Sequence, residues 1–279
     1  METVFASKSV RGMALVLVLW TVAALGIAVT GVIWLVRGEV RQAGAQRDQA
    51  VYMALGRAAM VQVAQELVAT GQKRLDRPVS TAVVFDGSDI DVLAVPLNGW
   101  ADLNRAPQPL LAALLEYGAG LDEASAQMGA AAIVARRSAP LPQGGATQFD
   151  AVEDLLQLPG IDYDAYARLA PLVTVDAGGD GQVNAYAAPP AVLMALSRGN
   201  QAAVSNFLAV RETGQGDVSS FNSAFLTSGG SSVVRLRAKF KTDTQLSPVI
   251  VCDVSLVGQD ARSVPWNFLQ CNYRTSATW

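Results

Sequence analysis

The stretch MALVLVLWTVAALGIAVTGVIWLV, from Met13 to Val36, decides the fold class because it contains no charged residue. As an α-helix, at roughly 1.5 Å per residue, it would be about 36 Å long, enough to cross a bilayer. A secretory signal peptide has a shorter apolar core of about 7–15 residues, followed by a small-residue cleavage site. Here the clear small-residue break, Gly12, precedes the apolar run. We predict that cleavage after Gly12 leaves the helix on the mature protein; an uncleaved signal anchor is the alternative.

The composition narrows the chemistry that the chain can perform. Its 279 residues can hold a membrane helix and one or two further domains. The net charge of −3 and the isoelectric point near 5.0 do not favour a nucleic-acid partner. The sequence contains no histidine, which excludes Ser-His-Asp and Cys-His catalysis and every histidine-ligated metal site. Only carboxylate, lysine or hydroxyl chemistry would remain for an enzyme, and we expect that the protein is not one.

The chain has two cysteines, Cys252 and Cys271. Two thiols alone cannot form a four-ligand zinc site. In an oxidising compartment they could close a small loop and stabilise the fold by roughly 3 kcal/mol. We predict a structural disulfide; two buried thiols that never meet are the alternative.

An apolar stripe of helical period extends the first helix beyond the apolar run. It recurs at three- and four-residue steps, at Ala50, Ala54, Ala58, Val61, Ala64 and Val68. We predict a helix from Met13 to about Thr70, ended by Gly71, with a local bend among the glycines from Gly26 to Gly44. Such a helix suits packing against copies or relatives of itself. A membrane anchor with an amphipathic stalk is the alternative.

Two β-like runs, Thr81–Phe85 and Ile90–Val95, predict a hairpin around the loop Asp86-Gly87-Ser88-Asp89. The acidic loop is similar to a calcium loop, but its oxygen ligands are not in the register of an EF-hand. A solvated turn is therefore the preferred interpretation.

Residues 100–215 are rich in Ala and Leu, which predicts helices. They also contain a sequence pattern that occurs twice. Asn104 precedes Ala106-Pro107, and Asn184 precedes Ala188-Pro189. Each of these prolines begins the pattern Pro-x-x-(Leu/Val)-Leu-x-Ala-Leu. We predict two related helical units, in which the asparagine supplies a cap or turn oxygen and the proline sets the first helical turn.

The run Leu158-Pro159-Gly160-Ile161 between two helical segments is typical of a helix-hairpin-helix motif. DNA-binding versions present backbone amides to a phosphate. Asp162 stands where a second glycine is expected, and Asp164 follows it. Because two carboxylates repel phosphate, we predict a purely structural hairpin.

The C-terminal region alternates in the manner of β-strands. Apolar and basic residues interleave as Val234, Arg235, Leu236, Arg237, Ala238, Lys239, Phe240 and Lys241. A second strand has one face made of Ile250, Cys252, Val254 and Leu256. The basic stripe predicts a solvated sheet face, with a docking surface for an acidic partner as the alternative. The aromatic residues Trp266, Phe268, Tyr273 and Trp279 are expected to pack on the sheet or to meet a partner.

Several of these segments, in this order, resemble the K-type minor pseudopilins of bacterial type II secretion systems, the GspK family. The chain start resembles that of type IV prepilin-like proteins. The residues that carry the likeness are Arg11-Gly12-Met13, the run from Asp102 to Pro107, Phe149, Leu158-Pro159-Gly160, the run from Leu169 to Val175, Val183-Asn184, Ala188-Pro189, Leu193 and the run from Ser231 to Phe240. The fifth residue after the cut is Leu17, where most pseudopilins have Glu and the K type is apolar.

The resemblance implies a processed membrane protein. A prepilin peptidase would cut between Gly12 and Met13 and methylate the amine of Met13. The protein would be a single-pass protein of the bacterial inner membrane, with its globular part in the periplasm. With the I- and J-type minor pseudopilins, and the H type as a further candidate, it would form a tip complex on an inner-membrane assembly platform. That complex would start and cap the pseudopilus that exports folded proteins across the outer membrane.

The implied fold is α+β, with a long N-terminal transmembrane helix packed on a small antiparallel-sheet pilin body and a large all-α, helix-hairpin-helix-like domain inserted. The predicted parts are a cleaved leader (1–12), the transmembrane helix (13–36), the periplasmic part of that helix (37–72), the first part of the β body (73–99), the inserted helical domain (100–215) and the C-terminal part of the β body (216–279).

The resemblance also leaves calcium open, because some family members bind it. The candidate ligands are Asp86, Asp89, Asp91, Asp176 and Asp180; no other cofactor is expected. The nearest alternative function is a minor pilin-like protein of a type IV pilus or DNA-uptake apparatus. A membrane-anchored enzyme using the adjacent Glu153 and Asp154, and a DNA-binding helix-hairpin-helix protein, are the more distant ones.

Overall fold

The structure is a computed structural model that describes residues 10–140, 145, 147–214, 216–242, 246–258 and 264–276. At 10–14, 31–36, 38 and 40 it describes the backbone alone. The chain divides into two compact units, Met1–Met53 and Ala54–Trp279.

The first element is the long helix α1 (Val10–Ala69). It ends close to the predicted end, because Gly71 adopts a φ of 79°. Gly71 N then donates to Val68 O (3.1 Å) and Gln72 N to Leu67 O (2.8 Å), the pair of hydrogen bonds that ends a helix in a Schellman motif. The predicted stop at Gly71 is confirmed.

The two ends of α1 differ in the exposure of their side chains. Large apolar residues are exposed from Leu15 to Val29, whereas Met60, Val63 and Leu67 are buried. No helix within the described part of the chain combines the length and the apolarity needed to cross a membrane. The predicted membrane helix from Met13 to Val36 includes residues whose side chains lie outside the described set.

The larger unit contains a five-stranded antiparallel sheet. Its strands are β1 (Val79–Phe85), β2 (Ser88–Pro96), β5 (Val233–Phe240), β6 (Ser247–Ser255) and β7 (Asn267–Ser276). They lie in the order β1-β2-β5-β6-β7. The predicted hairpin is therefore confirmed, and so is the alternation along β5, whose Val234, Leu236, Ala238 and Phe240 are all buried.

The hairpin loop is a two-residue turn, because Phe85 pairs with Ser88. Asp86 and Gly87 adopt φ angles of 47° and 72°. A two-residue hairpin needs positive φ at both positions, and Asp-Gly is among the sequences that provide it. The turn geometry thus explains why an aspartate stands at position 86.

Between β2 and β5 lies a mostly helical segment, which we call the insert (97–232). Its regular elements are β3 (Ala101–Asp102), α2 (Gln108–Ala113), α3 (Glu123–Ser138), α4 (Tyr163–Leu169), β4 (Val173–Thr174), α5 (Pro190–Leu196) and α6 (Gln201–Val210). The expectation that it is all-α is wrong in one respect, since β3 and β4 form a short parallel pair. This pairing joins the two ends of the first helical unit.

The repeated pattern corresponds to two similar proline-led helices, α2 and α5. The asparagines do not cap these helices, but Asn184 supplies the predicted turn oxygen, because its Oδ1 accepts from Tyr186 N (3.0 Å). Pro107 and Pro189 are the residues that directly precede α2 and α5, and both are extended, with ψ angles of 147° and 154°. Asn104 Nδ2 instead donates to Phe149 O (3.0 Å) and Val175 O (2.9 Å). Asn184 Nδ2 donates to the carbonyl of Asp76 (2.6 Å). Each asparagine therefore ties its unit to a distant segment.

The predicted structural hairpin is present around Gly160, whose φ is 84°. The element before it is a 3-10 turn, Val152–Gln157, and the one after it is α4. Asp162 caps α4, because its Oδ1 accepts a hydrogen bond from Ala165 N (2.7 Å). A carboxylate is favourable at a helix N-terminus, which explains why an acidic residue stands there.

Candidate functional site

The two faces of the sheet have different surroundings. One face is apolar and packs on α1, where a Cβ added to Gly56 would lie 2.5 Å from Cγ1 of Ile250. On the other face, Ser80, Leu93 and Arg237 stand opposite one another across β1, β2 and β5. Because side chains alternate along a strand, the basic residues of β5 share this second face.

The insert covers part of the second face. Trp100 is buried and packs with Val95, Leu97, Ala187 and Val233. Its indole Nε1 donates to Pro171 O (2.9 Å), which fixes the ring to the far side of the insert. Sheet and insert thus share a small apolar cluster within one unit of the chain.

Beside this cluster lies a cavity of about 860 Å³, which we call the arginine cleft. Its lining residues are Arg77, Pro78, Ser80, Leu93, Val95, Trp100, Tyr186, Ala187, Ala188, Pro189, Pro190, Arg211, Glu212 and Arg237. The floor is apolar and buried, at Val95, Trp100 and Ala188. The volume lies in the range of about 300–1,000 Å³ that is typical of ligand sites.

Arg237 reaches the cleft from the centre of the sheet. Its Nε is buried and has no hydrogen-bond partner among the described residues. Burial lowers the pKa of its guanidinium, and the charges of Arg274 and Arg235 lower the pKa further, whereas the charge of Asp253 opposes this effect. A desolvated cation near like charges favours the arrival of an anion.

Arg77 is held at the rim by an aromatic ring. Its guanidinium carbon lies 4.9 Å from the centre of the Tyr186 ring. The Tyr186 hydroxyl donates to Gly216 O at 3.0 Å and to Gly214 O at 3.3 Å. A cation–π contact of this kind orients the guanidinium without neutralising its charge.

Arg211 stands on the wall that the insert supplies. Its Nη1 donates to Ala188 O (2.9 Å). Burial lowers the pKa of the Arg211 guanidinium, an effect that the charge of Glu212 opposes. Glu212 is the single acidic residue in the described lining, against three arginines.

The expectation that the basic stripe of β5 is simply solvated is wrong for Arg235. Its Nε donates to Asp253 Oδ1 at 2.7 Å and its Nη2 to Asp253 Oδ2 at 2.9 Å. The same guanidinium lies 4.8 Å from the centre of the Trp100 ring. Lys241, at the open end of the strand, pairs with Asp91 at 3.1 Å and stays exposed. The stripe is therefore partly buried where the insert covers it.

The disulfide predicted between Cys252 and Cys271 is present. The two residues are directly opposite each other on β6 and β7. Of the C-terminal aromatic residues, Phe268 lies 5.3 Å from the guanidinium carbon of Arg57, as expected for packing on the body. Trp279 lies outside the described residues.

The processing residues are not tested by the structure. Gly12 and Met13 belong to the residues for which the backbone alone is described, and residues 1–9 lie outside the description. Leu17 is 66% exposed on α1.

Three of the acidic residues proposed as calcium ligands or as an acid–base pair, Asp91, Asp176 and Asp154, make other contacts. In the described part of the chain, no three acidic or cysteine side chains form a group that could hold a metal ion. Asp91 pairs with Lys241, and Asp176 Oδ1 accepts from Gly178 N (3.0 Å). Asp154 Oδ2 accepts from Asp150 N (3.0 Å) and Ala151 N (3.3 Å), which closes the start of a 3-10 turn.

Sequence reasoning found one wall of the arginine cleft and missed the others. The alternation along β5 pointed to Arg237 as part of a basic surface. No such signal marked Trp100, Tyr186, Arg77 and Arg211, because they come from four separate parts of the chain. They meet only through the packing of the insert on the sheet.

Comparisons with known proteins give a likeness of fold. No family model matches the chain, and no curated protein matches it in sequence. Among solved structures, it is similar to a chain in the crystal structure of the GspK-GspI-GspJ complex from the type 2 secretion system of enterotoxigenic Escherichia coli. The TM-score is 0.52 and the sequence identity is 13%, over 85% of this chain and 100% of that chain. The two chains therefore share a fold that combines helices with an antiparallel sheet.

Proposed function

We propose that this protein is a minor pseudopilin of a type II secretion system, of the K type, with a structural role and no catalytic one. The observation that carries the proposal is the fold likeness to a component of a secretion-system complex, which extends over the whole of that component. In this role the protein joins I- and J-type partners in the tip complex of the pseudopilus.

The N-terminal sequence supports the same proposal. The uncharged run from Met13 to Val36 follows a small residue, Gly12, at the expected processing junction. Leu17 replaces the usual glutamate. An intramembrane carboxylate is costly unless it is paired. In other pseudopilins the glutamate can pair with the terminal amine of the subunit ahead in the pseudopilus. A subunit with Leu17 at this position lacks a partner for the amine of a subunit ahead. That fits a position at the tip.

The exposed surface of α1 is the second support. Leu17 is 66% exposed, and Trp20 and Ile27 are 73% and 76% exposed. A continuous exposed apolar surface marks a site of contact with other proteins or with lipid. We propose that this part of α1 lies in the inner membrane and packs there against other pseudopilin helices, while the body is in the periplasm.

The processing step is tested with the full chain, expressed in its own cells with a C-terminal tag. Intact-mass measurement should show a protein that begins at Met13 and carries one methyl group. Gly12→Leu should remain at precursor mass, because a bulky residue blocks the peptidase. Gly26→Leu is the matched control, since a Cβ at Gly26 meets nothing within 4 Å. Normal processing and secretion with Gly12→Leu would contradict the proposal.

The assembly step is tested by cross-linking the same cells and purifying the tagged chain. Recovery of I- and J-type pseudopilins with the wild-type protein, but not with Gly12→Leu, is the expected result. Recovery of type IV pilus subunits instead would assign the chain to the alternative apparatus.

A further inference from the structure

The arginine cleft has more positive charge than the described protein around it neutralises. Three arginines and one glutamate line it. Neither Arg77 nor Arg237 is joined to an acidic residue by the ion pairs within the described residues, which connect Arg235 with Asp253 and Lys241 with Asp91. Arg237 is half-buried, and such a cation without an ion-pair partner is unfavourable unless an anion or water reaches it. Arg77 is exposed and adds positive charge at the rim, so the cleft favours an anionic ligand.

The planar shape of the arginine guanidinium groups in the cleft indicates that the ligand carries carboxylates. A guanidinium presents planar donors that match a carboxylate in a bidentate manner. The Arg235–Asp253 pair is built in this way on the neighbouring residue of the same strand face. Arg237 has the same planar group and a buried Nε without a partner among the described residues.

The position of the cleft indicates an extended chain as its occupant. Arg77, Pro78 and Ser80 are exposed, and they precede or begin β1, which is the edge strand of the sheet. Because Ser80, Leu93 and Arg237 stand in a row across β1, β2 and β5 and all three line the cleft, an extended peptide that enters at this edge can lie across the sheet face as far as Arg237. Tyr186, Pro189 and Pro190 also line the cleft, and their rigid side chains can pack on such a peptide.

We infer that the arginine cleft binds an extended acidic segment of a partner protein, whose carboxylates meet Arg77, Arg211 and Arg237. The inference rests on the proposed assembly role, because that role places partner proteins beside the body of the chain. It adds the chemistry of the contact: acidic side chains that alternate along a strand, one of them directed at Arg237 in the middle of the sheet.

The test uses the full chain, purified in a mild detergent, and a fluorescein-labelled peptide of sequence Glu-Val-Glu-Thr-Glu-Val-Glu with its termini blocked. Fluorescence anisotropy should show saturable binding. The peptide with every Glu replaced by Gln should bind at least about tenfold more weakly, the size of effect expected for the loss of charge-assisted hydrogen bonds. Equal binding of both peptides, or binding of neither, would overturn the inference.

Two cleft variants and one matched control locate the binding. Arg237→Gln and Arg77→Gln should each weaken binding by about tenfold. Because Arg77 is exposed, its variant keeps the test valid even if Arg237→Gln fails to fold. Arg168→Gln removes an exposed arginine on α4, outside the cleft, and should bind as the wild type does. Wild-type affinity in Arg77→Gln and folded Arg237→Gln would overturn the inference.

Two further outcomes separate the possible failures. Displacement of the peptide by micromolar glutarate would assign the cleft to a small dicarboxylate and overturn a peptide as its occupant. If the pseudopilins cross-link equally well to wild type and to Arg77→Gln and no peptide binds, the cleft inference fails while the assembly role stands. If the peptide binds and no pseudopilin is recovered, the assembly role fails instead.

Discussion

Arg235 and Asp253 form a two-pronged ion pair between the adjacent strands β5 and β6, with Nε–Oδ1 and Nη2–Oδ2 distances of 2.7 and 2.9 Å. Their side chains are 22% and 13% exposed. Trp100 covers the guanidinium from the side of the insert. The pair therefore connects the sheet to the insert as well as one strand to the next.

Removing the carboxylate should destabilise the protein, because a partly buried guanidinium loses its partner. We expect Asp253→Asn to lower the free energy of unfolding by about 2–4 kcal/mol. Urea denaturation of the purified protein measures this. Asp91→Asn is the matched control, because Lys241 is 57% exposed and such a surface pair contributes at most about 1 kcal/mol. Equal losses in the two variants would show that the coverage by Trp100 has no energetic effect.

The buried carboxyl of Asp102 should make stability depend on pH. Its Oδ1 accepts from Asn104 N (2.8 Å) and its Oδ2 from Ala177 N (3.1 Å). Burial raises the pKa of Asp102 above its ordinary value, against the effect of these hydrogen bonds and of the charge of Arg105. A pKa that is higher in the folded state means that the folded state holds the proton more tightly.

The sign follows from linkage. The contribution of Asp102 to stability is fully present below the pKa of the unfolded chain and is lost as the pH rises through the raised pKa of the folded state. Asp102→Asn cannot titrate, so this fall in the unfolding free energy with rising pH should disappear. Urea unfolding at intervals from about pH 3 to about pH 7 measures it. Asp164→Asn, at an exposed carboxyl on α4, should keep the wild-type fall. A wild-type curve for Asp102→Asn would contradict the prediction.

The disulfide between Cys252 and Cys271 should stabilise the C-terminal edge of the sheet. The two residues are separated by 19 positions in the sequence, and the bridge closes this loop in the unfolded chain. We expect the free energy of unfolding of the Cys252→Ala/Cys271→Ala double variant to be about 3 kcal/mol lower than that of the wild type. Mass spectrometry of the unreduced wild type should show a mass two hydrogens below that of the reduced chain. Two free thiols in the oxidised protein would refute the bridge.

Gly181 should not tolerate a side chain. Its φ is 91°, and a Cβ there would lie within van der Waals overlap of the Arg105 carbonyl. We expect Gly181→Ala to cost about 3 kcal/mol or more, because strain in φ and a backbone clash act together. Gly87→Ala is the control: Gly87 also has a positive φ, of 72°, but a Cβ would meet nothing within 4 Å. Gly87→Ala should lower the free energy of unfolding by about 1–2 kcal/mol. Thermal unfolding of both variants measures the two losses. Equal losses would contradict the predicted backbone clash at Gly181.

The sequence by itself determined the elements whose signals are local. The Gly71 stop of α1, the Asp86-Gly87 turn and the alternation along β5 follow from φ preferences and from the two-residue period of a strand. The disulfide was also predictable in kind, since two cysteines cannot form a four-ligand metal site by themselves. The sequence pattern that begins at Asn104 and is repeated at Asn184 predicted two related helical units correctly.

Only the tertiary structure decided what those residues contact. Asn104 and Asn184 bind carbonyls of distant segments rather than helix termini, and Arg235 is covered by Trp100 instead of water. The arginine cleft combines Arg77, Arg211 and Arg237 from regions far apart in the chain. No local pattern specifies such a meeting, because it depends on how the buried faces of the insert and the sheet fit together.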